Sequence, residues 1–289
     1  MAKKNKKNKA RWFVPEGLEP TERDRRILYW QERGKLVPTR NLIKTAEQIE
    51  GIRRAGVLNT AVLDTVAEHI REGMCTAEID HLVYDYTTSH GGIPAPLNYE
   101  GFPASCCTSV NDVVCHGIPS DDVLEEGDII NVDCTTILNG YYADASRMFI
   151  IGRTSPERQR LVDVAWECLK IGEAACKPYC FVGDLGHEIA AHAHKNGCSV
   201  VRDLCGHGVG LQFHEEPDVE HYGKRGTGML LVPGMVFTIE PMINAGDWEV
   251  CGDEEDETEW IVLTEDGSDS AQWEHTFVMT EDGVEILTH

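Results

Sequence analysis

The chain has 289 residues, 42% of them hydrophobic, and a formal net charge of −23. That is enough apolar mass for a sizeable buried core and the wrong sign for a surface that grips nucleic acid. No run approaches the roughly 18 apolar residues that cross a bilayer, and the lysine-rich start lacks the apolar segment of a secretory signal, so a cytoplasmic protein without membrane contact is expected. The eleven cysteines include the neighbours Cys106 and Cys107 but never the paired CxxC spacing of a structural zinc site, which argues for reduced, mostly buried thiols.

Charge is divided unevenly. Residues 1–44 carry 13 Lys and Arg against 5 Asp and Glu, a net +8, which leaves −31 on the rest. The opening MAKKNKKNKAR is a charge run without apolar periodicity and reads as disordered. A short helix is predicted over 22–33, with Thr21 as N-cap and Gly34 as stop. Residues 1–40 thus form a basic, partly disordered extension, either a solvated tail or a tether to an acidic partner such as ribosomal RNA. An acidic body suits a substrate that carries a positive group.

From Thr45 the pattern becomes that of a long helix: Thr45 and Gln48 make a capping box, apolar residues recur at helical spacing, and Gly73 follows as a stop. A second helix is predicted from about Ala77 to Ser89, and strands over 105–110 and 113–116. The stretch DIINVDCTTILNGYYADASRMFII reads as two strands around an Asn139-Gly140 turn. Ser155 and Pro156 open a helix to about Ala175, Val182–Lys195 forms another, and the remainder is strand-like and rich in turns. The order is helix, helix, strands, twice over: an α+β architecture of two similar halves. The acidic segment 247–259, with 8 carboxylates in 13 residues, reads as a solvated loop.

If Asn139-Gly140 is a two-residue turn, residues whose numbers sum to 279 face each other. Asp133 then lies opposite Ser146, and Asp144 points to the same face as Asp133, at a diagonal of about 7–8 Å between backbones. Glu240 in MVFTIEPM and Glu274 in AQWEHTFVMT also lie in apolar, strand-like runs, where an unpaired carboxylate is costly unless it meets a cation. Four such carboxylates and an imidazole would make an oxygen-rich site, apt for two metals of the Mn, Fe, Co or Zn kind.

The stretch GHGVGLQFHEEP supplies that imidazole. Gly206, Gly208 and Gly210 disfavour a helix, and in an extended chain the seven-residue spacing sends His207 and His214 in opposite directions, which suggests different roles. His207, between glycines that permit close backbone approach, is the better metal candidate; His214, beside Phe213, is better placed to meet a substrate. His116, in CHGIP at a strand end, is either structural or functional.

Taken together, NYEGFPASCCTSVNDVVCHGIP, NVDCTTILNGYYADASRMF, GHGVGLQFHEEP, FTIEPMI and AQWEHTFVMT resemble, in order, the motifs of type I methionine aminopeptidases in the pita-bread metallopeptidase family. The resemblance covers about residues 41–289, which would form one catalytic domain. It implies two pseudo-symmetric halves of helices and antiparallel sheet around a dinuclear site, with Asp133, Asp144, His207, Glu240 and Glu274 as ligands of two divalent ions (Co, Mn, Fe or Zn). Asp144 and Glu274 would bridge them. His116 and His214 would contact substrate and stabilise the tetrahedral intermediate, and Glu240 would act as general base and acid. Tyr99, Phe102, Cys107, Phe213 and Trp260 would line a methionine pocket, a soft, apolar wall suited to a thioether. The substrates implied are nascent polypeptides with an N-terminal methionine and a small second residue, handled by a monomer. Two alternatives stand beside this reading: an Xaa-Pro aminopeptidase or prolidase using the same ligands, and a non-catalytic binding protein of the same fold.

Overall fold

A computed structural model describes residues 11–254 and 256–288. Apart from Arg11, the segment expected to be disordered lies outside the described residues. Beyond it, the basic extension folds onto the body. Trp12 is buried in the main core with Ile27, Val37 and Leu42. Its indole N–H donates to Asp24 Oδ1 at 2.8 Å, and the Arg40 guanidinium lies 4.4 Å over its ring.

Among the described residues there are five α-helices: α1 (Glu22–Glu32), α2 (Ala46–His69), α3 (Thr76–Ser89), α4 (Pro156–Ala175) and α5 (Val182–Lys195). Their N-termini are those the sequence marks, with reciprocal capping boxes at Thr21/Asp24 and Thr45/Gln48 and the Ser155 hydroxyl accepting from Arg158 N. One stop differs. Helix α2 ends at His69, where Ile70 turns extended, and Gly73 serves the next turn instead, donating its N–H to Leu124 O at 2.9 Å.

The strands of the first half are β1 (Ile93–Pro94), β2 (Cys107–Val110), β3 (Val113–Cys115), β4 (Ile129–Leu138) and β5 (Tyr141–Ile150). The expected strand at 105–110 starts two residues later, and the one at 113–116 stops at Cys115 because His116 adopts a left-handed φ of 57°. Those of the second half are β6 (Ser199–Val200), β7 (Gly206–Gly208), β8 (Glu215–Val219), β9 (Val236–Ile239), β10 (Met242–Asn244), β11 (Val250–Gly252), β12 (Val262–Thr264), β13 (Ser270–Gln272), β14 (His275–Met279) and β15 (Val284–Ile286). These strands pair antiparallel: β4 holds β1, β2 and β5 together, β15-β14-β9-β7-β8 form a five-stranded sheet, and two three-stranded sheets join β13-β10-β6 and β11-β12-β3.

The β4–β5 hairpin has the two-residue turn and the register expected. Leu138 pairs with Tyr141, Asp133 with Ser146 and Thr135 with Asp144. Asn139 and Gly140 both take positive φ, 51° and 82°, the backbone of a type I′ turn. Helices α2 and α3 cover this hairpin through Val62, Leu63, Val66, Ile79 and Val83 packed on Ile130, Val132 and Ala145. Asn59, inside that layer, donates its side-chain N–H to Ala143 O at 3.2 Å and also to Cys134 O. Helices α4 and α5 cover the second half through Leu161, Leu169, Leu185 and Ile189, packed with Phe237, Ile239 and Phe277. With helices outside both halves, the inner sheet faces are left to meet one another, and that is where the polar side chains collect.

The acidic segment 247–259 is not a plain solvated loop. It runs from β11 to β12, and β12 pairs with β3 beside His116. Every cysteine is unpaired, and among the described residues no helix is long and apolar enough to cross a membrane.

Candidate metal centre and active site

One cavity of about 630 Å³ receives all twelve residues singled out above. Asp133, Asp144, His207, Glu240 and Glu274 share its wall with Tyr99, Phe102, Cys107, His116, Phe213, His214 and Trp260.

The acidic floor is built by both halves. Asp133 and Asp144 come from the hairpin; His207, Glu240 and Glu274 come from β7 and the ends of β9 and β14. Ligand atoms of Asp144, His207 and Glu274 lie within 4.8 Å of one another, and His207 Nε2 is 3.6 Å from both Asp144 Oδ2 and Glu240 Oε1. Glycines permit this approach. A Cβ on Gly206 would lie 2.9 Å from Thr238 Oγ1, and one on Gly208 only 2.2 Å from Glu216 O.

Neighbouring polar groups fix each donor. His207 Nδ1–H donates to Gly208 O at 2.9 Å, which leaves the Nε2 lone pair for a metal. The Thr238 hydroxyl accepts from His207 N at 2.9 Å and donates to Glu240 Oε1 at 2.6 Å, while Gln272 Nε2 donates to Glu240 Oε2 at 3.0 Å. The Thr135 hydroxyl donates to Asp144 Oδ1 at 2.7 Å. Beneath this layer, the buried His221 accepts the Glu240 backbone N–H on Nε2 at 3.0 Å.

The electrostatics call for a cation. Burial pushes Asp133 up to about 7, against a hydrogen bond with Asp144 that pulls it down. Burial pushes Glu240 up to about 8, and drives Asp144 and Glu274 well above the usual carboxylate range, each repelled further by its acidic neighbours. Burial holds His207 down at about 3, a neutral imidazole able to ligate metal. Glu274 Oε1 is buried without a hydrogen-bond partner among the described residues. Four crowded carboxyls, one with an orphaned oxygen, and a neutral imidazole fit a divalent metal better than any arrangement of shared protons.

Above the floor the walls are aromatic and soft. Trp260 packs edge-on against Phe102 and against His116, ring centroids 5.5 Å apart in both pairs. Tyr99 tilts against Phe213 at 4.7 Å and meets His214 Nδ1 through its hydroxyl at 3.0 Å. His116 owes its place to the turn at Gly117, where a Cβ would fall 2.1 Å from Thr108 O.

The expected divergence of His207 and His214 fails. Their rings touch, 4.3 Å between centroids, because the chain between them is bent rather than extended. The β7–β8 register shifts between His207 and Gly208, and Gly210 has φ 134°. Their partners still differ: His207 faces the carboxylates and His214 faces Tyr99.

Several residues of the site lie outside the sequence reading. Thr135 was within reach, since 135 and 144 obey the same hairpin sum, and Thr238 and Gln272 precede Glu240 and Glu274 by one strand period. Lys44 and Glu215, an ion pair beneath the loop carrying His214, are 171 positions apart and left no local signal. Asp256 is a third omission. Its carboxylate accepts backbone N–H groups from Thr258, Trp260 and Ile261 at 2.7–2.9 Å and so pins Trp260 at the cavity rim.

Residues 50–281 match Metallopeptidase family M24. The chain belongs to this family, and its helices and antiparallel sheets form the pita-bread fold. Among its relatives are methionine aminopeptidases. It is 51% identical over 242 residues to methionine aminopeptidase A of Synechocystis sp., an alignment that spans 83% of this chain and 94% of that protein. The crystal structure of methionine aminopeptidase from Rickettsia prowazekii superposes with a TM-score of 0.83 at 45% identity, covering 86% of this chain and 99% of that one. A prolidase from Pyrococcus furiosus shares the fold, with a TM-score of 0.69 at 24% identity over 86% of this chain and 65% of its own. Family membership brings a divalent metal, and Asp144, His207 and Glu274 form a cluster suited to hold it.

Proposed function

We propose that this chain is a methionyl aminopeptidase, a hydrolase that removes the N-terminal methionine from nascent polypeptides and peptides and prefers a small second residue. One observation carries the reading: a floor of four carboxyls and one imidazole lies under walls of aromatic rings and a thiol, all within a single cavity. Asp133, Asp144, His207, Glu240 and Glu274 would hold two ions of the Mn, Fe, Co or Zn kind. Bound metal supplies Lewis acidity to the scissile carbonyl and lowers the pKa of an attacking water.

The side chains do the rest. Glu240, oriented by Thr238 and Gln272, takes a proton from the attacking water and returns it to the leaving amine. His214 donates to the developing oxyanion, with Tyr99 fixing its ring. His116, held edge-on to Trp260, contacts the substrate backbone. Phe102, Cys107, Phe213, Tyr99 and Trp260 enclose the thioether and exclude water from it. The substrate's free α-amine would bind beside Asp133, at the second metal that this carboxylate would hold, and an internal peptide bond offers no such amine, which limits cleavage to the first residue.

The catalytic domain comprises residues 41–289, and residues 1–40 form a basic extension, either a solvated tail or a tether to an acidic partner such as ribosomal RNA. The enzyme works in the cytoplasm as a monomer. Purified protein treated with chelator and then given Mn, Fe, Co or Zn in turn should recover release of methionine from Met-Ala-Ser. No recovery with any ion would overturn the metallopeptidase reading, and faster cleavage of Ala-Pro-Ala would assign the Xaa-Pro aminopeptidase activity instead.

A further inference from the structure

Lys44 lies where the N-terminal extension, the strap whose Trp12, Ile27, Val37 and Leu42 pack into the main core, leads into α2. Its backbone N–H donates to Gly234 O at 2.8 Å. Its side chain is only 1% exposed, and its ammonium pairs with Glu215 Oε2, on a carboxylate that is itself 10% exposed. A lysine this deep is rare without a function or a firm partner. The other oxygen of the same carboxylate is also committed: Glu215 Oε1 accepts the backbone N–H of Leu211 at 2.8 Å and of Gln212 at 3.1 Å.

Those two amides belong to the bend between β7 and β8, the segment that presents Phe213 and His214 to the cavity. Tyr99 packs against Phe213 and meets His214 at the tip of the bend, but its backbone has few other partners, among them Gly210 N–H to Gln212 O at 3.2 Å. Gly210 sits at φ 134°, a backbone that side chains rarely adopt, with its carbonyl accepting from Tyr142 N at 2.9 Å. The segment carries no regular strand pairing between Gly208 and Glu215. An acceptor for the Leu211 and Gln212 amides is therefore needed to fix the bend, and a carboxylate is the strongest kind available. Buried there, that carboxylate needs a counter-charge.

We propose that Lys44 and Glu215 form a charged latch that sets the position of His214 and Phe213, so that the strap before α2 takes part in the active site without touching substrate. Both are positioning residues. The consequence for catalysis rests on the proposed aminopeptidase reaction; the consequence for the bend does not.

Lys44→Met keeps the apolar stem and removes the charge. It should lower kcat/KM for a Met-Ala-Ser peptide by roughly 10- to 100-fold, the scale of a misplaced reacting group, with bound metal and the cooperative unfolding transition retained. The same change in a His214→Ala background should cost little more, because the effect passes through His214. The double variant Lys44→Met/Glu215→Gln, which leaves an acceptor for both amides and no unpaired charge, should recover most of the activity. Independently of any peptidase activity, amide hydrogen exchange at Leu211 and Gln212 should speed up in Lys44→Met while the amides of β4 and β5 stay protected. Unchanged protection at Leu211 and Gln212 would overturn the latch. An equal loss of activity in the wild-type and His214→Ala backgrounds would overturn its route through His214.

Discussion

At the scale of single residues, the site combines groups that hold charge with groups that hold those groups still. Glu240→Gln preserves the side-chain shape and one acceptor oxygen but cannot carry a proton. Release of methionine should fall by about 10²–10⁴ with the protein still folded, as read from steady-state kinetics beside circular dichroism; retention of a tenth of the activity would remove Glu240 from its acid–base role. Asp256→Ala acts elsewhere. By freeing Trp260 it should raise KM for methionyl peptides several-fold with kcat little changed, and Asp256→Asn, which keeps an acceptor, should fall between; equal KM values in all three proteins would show the rim to be indifferent to Asp256. The four carboxyls of the cavity floor were legible in sequence because a carboxylate amid Ile, Val and Phe is an anomaly that physics penalises, and His207 because glycines flank it. Lys44, Glu215 and Asp256 were not, since each is a common charged residue whose meaning arises only from a partner distant in sequence or from a local hydrogen-bond cluster. The divergence argued for His207 and His214 failed on the single assumption that a chain with three glycines runs straight.

At the scale of elements, the hairpin β4–β5 decides where two acidic donors stand. Its two-residue turn sets the register from Leu138–Tyr141 down to Ile129–Ile150, and a one-residue slip would turn Asp133 and Asp144 to opposite faces. A Cβ on Gly140 would meet nothing within 4 Å, so Gly140→Ala introduces backbone strain alone, about 1–2 kcal/mol. Urea unfolding should show that loss of stability while kcat at low temperature is kept; an unchanged midpoint would mean that the turn relaxes to another type. Helix starts and this turn could be read from sequence because caps and Asn-Gly are local chemistry. The short strands of the second half could not be placed one by one. Their pairing partners, such as Val262 with Cys115, are set by the meeting of two halves, and a three-residue strand carries too little periodicity to announce itself.

At the scale of the whole molecule, the crowded acids couple stability to metal and to pH. Burial raises Asp133 and Glu240 from ordinary values of 3.8 and 4.5 to about 7 and about 8. A carboxyl raised in the folded state is stabilising in its protonated form. That contribution is complete below about pH 4 and is lost as pH climbs through the folded values. The depressed histidines of the site work the other way, but above about pH 6.5 they are neutral folded or unfolded and drop out. Protein stripped of metal should therefore lose on the order of several kcal/mol between about pH 6.5 and 8.5, seen as a falling calorimetric midpoint, whereas metal-saturated protein should hold steady. A stripped protein that gains stability over this range would contradict the burial of these acids. The same crowding has a consequence in time. The proposed ligands run from Asp133 to Glu274, and a chain leaving the ribosome completes Glu274 last. Until then the hairpin's two carboxyls lack at least one of their three counterparts. A protein proposed to trim emerging chains therefore cannot act while it is itself a fragment: hydrolytic competence arrives only with the second half, as a built-in delay between translation and activity.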